Sequence, residues 1–419
     1  MSVLLNRLIV GQAVSTFGSQ FTLIGLPLIA GALLGATGKE MGLLIATTTL
    51  PQLLFGPIFG VLADRHDRYA ILLWCDLFRV LVILSVPLLY LMNTLGIVSI
   101  IIISLIMHSF TALFNVSYWP LISELVQSED QTRAMSRVQT ANSIAEAAGS
   151  GAVGLLFSLA PLQLLIAIDG LSFLVSWGLL QFVPRTARAE RNSKRTQEKS
   201  RIGSEKKSGL FADLLEGCRI VWRQKILRTT VIAATIWYLL HGALLSLFYL
   251  FMIHDVGVSD GSIGYVFTAN SLGMLAGSLI APKIEPLLSM KAKMAGSFGV
   301  LGGCWFVAIW GGLHFQSWFL PAIAFVFYGA ALVVAMIATM KLRLMIVPTE
   351  LLSRVTSVNM WFTTGSMPVG AVLGGVIADR MGVPTAMYVL SLGMTIPPAC
   401  FFFGLSRKNL AVLKIATAS

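Results

Sequence analysis

Apolar stretches of about 20 residues, the length a helix needs to cross the hydrocarbon core of a bilayer, recur along the whole chain and constrain its fold more than any other feature. They fall at 8–31, 41–62, 70–92, 97–119, 135–158 and 162–183, then at 228–253, 261–281, 292–312, 317–340, 355–377 and 383–405. The composition agrees: 56% of residues are apolar and 12% charged, with a mean hydropathy of +0.82, which excludes a water-soluble globule. The reading is an all-α membrane protein with twelve transmembrane helices. The first stretch begins right after Asn6 and Arg7, is too long for a signal core and lacks a small-residue cleavage site, so it is expected to stay in the mature protein.

The chain carries 30 Lys and Arg against 19 Asp and Glu, a net charge of +11. With the N-terminus in the cytoplasm, all basic residues except Lys39, Arg79 and Arg380 fall on the cytoplasmic side. That asymmetry predicts a multi-pass protein of the plasma (bacterial inner) membrane with both termini cytoplasmic, and it accounts for the basic excess without a nucleic-acid partner. The cysteines (Cys75, Cys218, Cys304, Cys400) are scattered singly and read as free thiols. No set of nucleophile, base and orienting residue stands at usable spacing and no metal-ligand cluster appears, so neither an enzyme nor a cofactor or metal is expected.

One linker interrupts the pattern. From Pro184 the run PRTARAERNSKRTQEKSRIGSEKKSG is dense in charge and free of aromatics. LFADLLEGCRIVWRQKILR follows, with Phe211, Leu214, Leu215, Cys218, Val221 and Trp222 at three- and four-residue steps, and predicts an amphipathic helix on the cytoplasmic surface. The expected organisation is a six-helix bundle over 1–183, a basic cytoplasmic linker with its helix over 184–227, and a second six-helix bundle over 228–419. An offset of 221 residues aligns VQSEDQTRAMS after helix 4 with VPTELLSRVTS after helix 10, pairing Glu129 with Glu350 and Arg133 with Arg354. The same offset pairs Gly149 with Gly370 and Gly154 with Gly375. Two parallel repeats enclosing a path are a transporter plan.

The end of helix 2, GPIFGVLADRHDRY from Gly56, sets Asp64, Arg65 and Arg68 in a tight loop and resembles the loop 2–3 signature of the major facilitator superfamily, with Asp67 where a glycine is usual. The resemblance implies the major facilitator fold, two pseudo-symmetric six-helix bundles. It also implies a cytoplasmic latch in which the acid pairs with bases and with the positive end of a helix in the other half, a contact that breaks when the halves part. Glu129, Arg133, Glu350 and Arg354 in the repeated loops are grouped with that latch. NRLIVGQAVSTFGSQFTLIGLPL, AIDGLSF, FADLLEGCRIVWRQKILR and PTELLSRVTS are similar to the macrolide-efflux-like group of drug and proton antiporters, and siderophore exporters share much of the pattern.

Polar side chains facing lipid are costly, so stripes of them at helical spacing mark a cavity or interhelical contacts. Helix 1 offers Gln12, Ser15, Ser19 and Thr22; helix 4 offers His108, Thr111, Asn115 and Tyr118; helix 7 offers Tyr238, His241 and Tyr249; helix 5 offers Gln139, Asn142, Glu146 and Ser150. Asp76 and Arg79, three residues apart on helix 3, read as a structural pair, and Arg79 as the only base deep in a span. Glu146 lies about 11 residues, roughly 16 Å, into helix 5 with no base at helical spacing. It is the first candidate for proton coupling, and Asp169 in AIDGLSF the second.

The expectation is a secondary transporter that exports a drug-like amphiphile by alternating access, energised by a proton gradient, with a small-molecule substrate, protons and the lipid bilayer as its partners. A siderophore or other endogenous metabolite is the alternative cargo. A membrane scaffold or receptor acting through the basic linker is the alternative outside transport.

Overall fold

The computed structural model describes residues 3–126, 131–157, 160–181, 210–258, 260–284, 286–347 and 349–404, and every regular element in them is helical. The first half comprises α1 (Val3–Leu28), α2 (Gly38–Ala46), α3 (Leu50–Arg65), α4 (Arg68–Leu91), α5 (Ile97–Glu124), α6 (Gln131–Leu156), α7 (Leu162–Leu165) and α8 (Ala167–Gln181). The second half comprises α10 (Lys225–Leu250), α11 (Asp260–Ile284), α12 (Met290–Phe315), α13 (Phe319–Ile346), α14 (Thr349–Met381), α15 (Val383–Gly393) and α16 (Ile396–Gly404), preceded by α9 (Leu210–Arg223). One π-helical turn extends α1 over Ile29–Leu33 and another extends α10 over Phe251–Asp255. Nine helices among the described residues are long and apolar enough to cross a membrane. The other three expected spans are also helical: the second is divided into α2 and α3, the fifth is the more polar α6, and the sixth is α8, only 15 residues long as described.

Local chemistry explains the breaks. Thr47 and Thr48 turn their hydroxyls onto the carbonyls of Leu44 and Ile45 at 2.6 and 2.7 Å, and Pro51 brings no N–H to the ladder, so the second span resets between α2 and α3. Asp67 N-caps α4 by accepting from the Tyr69 N–H at 3.1 Å, which is the structural use of the acid standing where the family pattern has glycine. Gly382, with φ of +82°, makes the turn from α14 to α15.

Packing repeats between the halves pair for pair. In the first, α1 packs on α6 and α8, α4 on α5 and α8, and α3 on α5. In the second, α10 packs on α14, α15 and α16, α12 on α13 and α16, and α11 on α13. The glycines related by the 221-residue offset have matching surroundings. A Cβ on Gly149 would lie 2.6 Å from the Phe17 carbonyl on α1, and one on Gly370 would lie 1.8 Å from the Leu239 carbonyl on α10. Gly154 meets Gly264 of the other half, and Gly375 meets Gly38 of the other half. Not every four-residue glycine pair packs this way: Gly56, Gly60, Gly299 and Gly303 face nothing within 4 Å.

The expected linker lies almost wholly in residues 182–209, outside those described. Its helix, α9, is separate from α10, because Gln224 between them is extended. Val221 and Cys218 of α9 join a cluster with Leu227, Val231, Val355 and Val358, so α9 packs on α10 and α14 with this side, while Trp222 is exposed.

Gly370→Ala should lower the thermal midpoint of the purified protein, costing about 1–3 kcal/mol by overpacking, whereas Gly299→Ala should leave it unchanged; equal midpoints for the two variants would contradict this packing.

Candidate functional site

The halves touch each other along two lines, α2 against α14 and α10, and α6 against α11. Both contacts sit toward the same end. On the first, a Cβ on Gly42 would stand 2.4 Å from the Ala371 carbonyl, and the Lys39 N–H donates to Asp379 Oδ2 at 3.2 Å. On the second, a Cβ on Gly264 would stand 2.6 Å from the Gly154 nitrogen, with Thr268 beside Gly151. Such distances exclude any side chain and bring backbone against backbone.

Toward the other end the halves separate around a crevice. One chamber, of about 260 Å³, has walls from both halves: Gln52, Leu53 and Gly56 of α3 and Val116 of α5 face Ser357, Trp361 and Gly365 of α14. A second chamber, of about 350 Å³, shares Met360 and Thr364 with it and runs into the second half between α10, α12, α13 and α14. Its wall is mainly apolar and aromatic, including Trp237, Tyr238, Phe298, Met336 and Met340, with Thr339, Asn359, Thr363 and Arg343 as polar points. Asp and Glu are absent from the described lining of both chambers.

The expected cavity residues divide into distinct environments. Tyr238 lines the crevice. His241 lies deeper, stacked on Trp237 at 4.9 Å, with Nδ1 2.9 Å from the Tyr328 hydroxyl. Tyr249 is buried and stacks on Phe267 at 5.6 Å, and Tyr118 is buried with its hydroxyl 3.4 Å from the Leu8 carbonyl, so both tyrosines belong to the packed interiors of their halves and stand off the crevice. Gln12 donates to Thr16 at 3.4 Å and Thr16 to Asn142 at 3.4 Å, tying α1 to α6. Ser15 is buried, Thr111 returns its hydroxyl to the Met107 carbonyl, and Asn115 is half-buried beside Val116. His108 Nδ1 lies 2.8 Å from the Ser104 carbonyl, and with Thr22 and Thr48 it lines a small separate void.

The two coupling candidates have opposite surroundings. Asp169, fully buried, collects hydroxyls from Thr22, from Ser19 at 3.2 Å and from Ser172 at 3.3 Å, binding α8 to α1. Glu146 is half-buried, and among the described residues no hydrogen bond or ion pair reaches its carboxyl group. Leu155, nine residues on and so about 180° around the helix, is 60% exposed, which turns Glu146 to the inner face of α6 between its contacts with α1 and α11. α6 contributes no described residue to either chamber.

Asp76 and Arg79 form a buried ion pair, with Ser176 donating to Asp76 at 2.8 Å and the guanidinium between the rings of Phe114 and Phe173 at 4.4 and 4.3 Å. The pair is enclosed by α4, α5 and α8. A second base stands on the wall of the crevice: Arg343, in the last turn of α13, which reaches Ile346, beyond the predicted end of that span. Its position in KLRLMIVPTE makes it look like one more cytoplasmic charge, and only the two-helix wall formed with α14 reveals it. Of the latch, Arg65 is exposed and Arg68 partly buried, while Glu129 and the side chains of Asp64, Arg133, Glu350 and Arg354 lie outside the described residues.

Asp76→Ala leaves Arg79 buried without its carboxylate and should cost about 3–5 kcal/mol, read as a loss of folded protein on thermal melting. Asp76→Ala combined with Arg79→Met should recover most of it, and failure of the double variant to do so would contradict a purely structural pair.

The profile of the Major Facilitator Superfamily matches residues 8–367. Macrolide efflux protein A of Streptococcus pyogenes is 25% identical over 379 residues, covering 89% of this chain and 89% of that protein. An MFS-type transporter of Bacillus subtilis, YfiS, is 23% identical over 388 residues, covering 92% and 89%. Among solved structures, a bacterial homologue of the iron transporter ferroportin in an inward-facing state superposes with a TM-score of 0.72 at 15% identity, covering 97% and 100% of the two chains. The nucleoside transporter NupG superposes with a TM-score of 0.73 at 12% identity, with the same coverage. Helical packing repeated in two halves, a crevice between them and a profile match over most of the sequence lead to one assignment: the chain belongs to the major facilitator superfamily, and it is a multi-pass membrane transporter, not an enzyme.

Proposed function

We propose that the protein exports a small amphiphilic molecule across the plasma membrane by alternating access, in exchange for protons. The observation that carries this reading is the crevice walled by both halves and shut at one end by backbone contacts. Among the described residues, Arg65, Arg68, Arg223, Lys225, Lys341 and Arg343 lie toward the crevice end, so the positive-inside bias turns the crevice to the cytoplasm, as loading for export requires. An apolar and aromatic wall with a few polar points suits an amphiphile. Export of a drug-like compound such as a macrolide draws on the likeness to macrolide efflux protein A.

In the cycle, cargo enters from the cytoplasm and the halves rock about it. The glycine contacts between α2 and α14 and between α6 and α11 part, while the loop with Asp64, Arg65 and Arg68 latches the cytoplasmic end. Glu146 serves as the proton carrier, because a carboxyl on the inner face with no partner among the described residues exchanges protons with whichever side is wet. Asp169, already holding three hydroxyls, joins α1 to α8 instead. A second reading, export of a siderophore or another endogenous metabolite, is favoured by Arg343, a base on the crevice wall with no acid in the described lining beside it.

Reconstituted protein under an imposed pH gradient should accumulate at least one member of a panel of cationic, neutral and anionic amphiphiles. Glu146→Gln should abolish that flux while leaving the thermal midpoint unchanged. Undiminished flux in the variant would remove Glu146 from the mechanism, and no gradient-driven flux for any amphiphile would overturn the export reading.

A further inference from the structure

The described wall of the crevice carries a cationic donor and no acid. Arg343 is half-buried, and its one contact among the described residues is from Nη1 to the Thr356 hydroxyl at 3.3 Å. Asn359 and Thr363, both buried, line the same chamber, and among the described residues no carboxylate lines it to neutralise the guanidinium. The rest of that wall is Phe298, Met336, Met340 and Met360, the three methionines each 45% exposed or more. A half-buried cation with no counter-ion among the described residues is stabilised when a ligand supplies negative charge. Methionine surfaces adapt to varied apolar bodies.

We infer that this chamber binds an amphiphilic anion, its carboxylate or phosphate received by Arg343 and its apolar body lying along the methionine and aromatic wall. The inference rests on the crevice being the transport path and narrows its cargo from amphiphiles to those bearing an acid. A lipid headgroup and a free amphiphile share this chemistry, and the lipid composition of the assay separates them.

The test is equilibrium binding of radiolabelled decanoate to the full-length protein in phosphatidylcholine nanodiscs. Binding should be saturable, displaced by unlabelled decanoate and not by decyltrimethylammonium or decyl maltoside, which share its tail. Arg343→Gln should weaken it about tenfold or more, with Arg343→Lys retaining more, both at unchanged thermal midpoint. Phosphatidylglycerol in the disc suppresses binding if lipid headgroups occupy the site and leaves it intact if the site takes free amphiphiles. Displacement by the cation as effective as by the anion, or wild-type binding in Arg343→Gln, overturns the inference. Decanoate binding without gradient-driven flux would leave the anion site standing and sink the export reading, and the converse result would do the reverse.

A second inference stands on a separate observation. Gly60-Val61-Leu62-Ala63-Asp64-Arg65, which closes α3, recurs almost unchanged as Gly375-Val376-Ile377-Ala378-Asp379-Arg380 at the end of α14. The two copies lie at opposite ends of the molecule. At the closed end Asp379 accepts from the Lys39 N–H in the first turn of α2, and a Cβ on Gly38 would lie 2.7 Å from Asp379 Oδ1. Thr37 and Glu40 cap the same turn from within the first half by a capping box, so Asp379 adds the one cap that crosses between halves. The geometry points to a pair of exchanged latches: Asp379 holds the N-terminus of α2 when the crevice is open, and Asp64 holds the other end when the crevice is closed.

Ala36, buried beside the closed end, reports on it. In protein with Cys75, Cys218, Cys304 and Cys400 changed to Ser and Ala36 to Cys, a membrane-impermeant maleimide reaches the probe only as that end opens. Asp379→Asn should raise the labelling rate about two- to fivefold, the effect of one carboxylate at a helix N-terminus, and Asp64→Asn should lower it. Asp379→Glu, which keeps the charge, should hold the original rate. An unchanged rate in Asp379→Asn, or a faster one in Asp64→Asn, overturns the paired latch.

Discussion

The arrangement depends on backbone meeting backbone at one end of the two halves. Gly38 and Gly42 against Gly375 and Ala371, and Gly154 against Gly264, bring helices closer than any side chain permits. In hydrocarbon there is no hydrophobic drive between helices, so association comes from such packing and from a few polar contacts. A seal made of small residues is tight when closed and gives up only dispersion and one or two hydrogen bonds when it parts. The offset-related glycines show how this was built: in each half one glycine faces the first helix of its own bundle, and the next faces the other bundle, so cohesion within a half and contact between halves run along the same helix.

Polar chemistry is distributed unequally over this frame. The first half uses its buried charges internally. Asp169 gathers Ser19, Thr22 and Ser172, and Asp76 holds Arg79 between two phenyl rings, so α1, α4 and α8 are locked to one another as a rigid body. The second half uses aromatic stacking for the same purpose, with Trp305 and Phe325 packed between Phe248 and Tyr328, and leaves Arg343 on the wall of its chamber. Rigid halves joined by a weak seal move as blocks, and the half that leaves a base on its chamber wall is the one suited to hold a ligand.

Much of the fold is legible in the sequence because span length, charge asymmetry and the 221-residue repeat are properties of the chain read alone. The break between α2 and α3 is local chemistry too, written in three threonines and Pro51, but hydropathy averages over it. The site was harder to read. Tyr118 and Tyr249 occupy helices that border a path in the family, yet the face each presents is fixed by neighbours far away in sequence: Leu8 for one, Phe267 for the other. Arg343 reads as one more positive-inside charge until α14 folds beside it, and the second GV-ADR segment carries meaning only once α14 ends next to the start of α2. Polar stripes mark which helices carry function. They do not say whether a hydroxyl serves a neighbouring helix, as Ser19 and Thr22 do, or a ligand.

The central claim is that the halves exchange one closed end for the other as blocks, and pairwise distances across both ends measure it most directly. Spin labels at Lys39 and Arg380 report on the closed end, and labels at Gln52 and Trp361 report on the crevice. Electron–electron double resonance in nanodiscs should give two populations for each pair, with the long distance of one pair gaining weight as the long distance of the other loses it when pH or cargo is varied. A crevice distance that stays single and fixed while the protein transports, or two ends that widen together, would contradict the account.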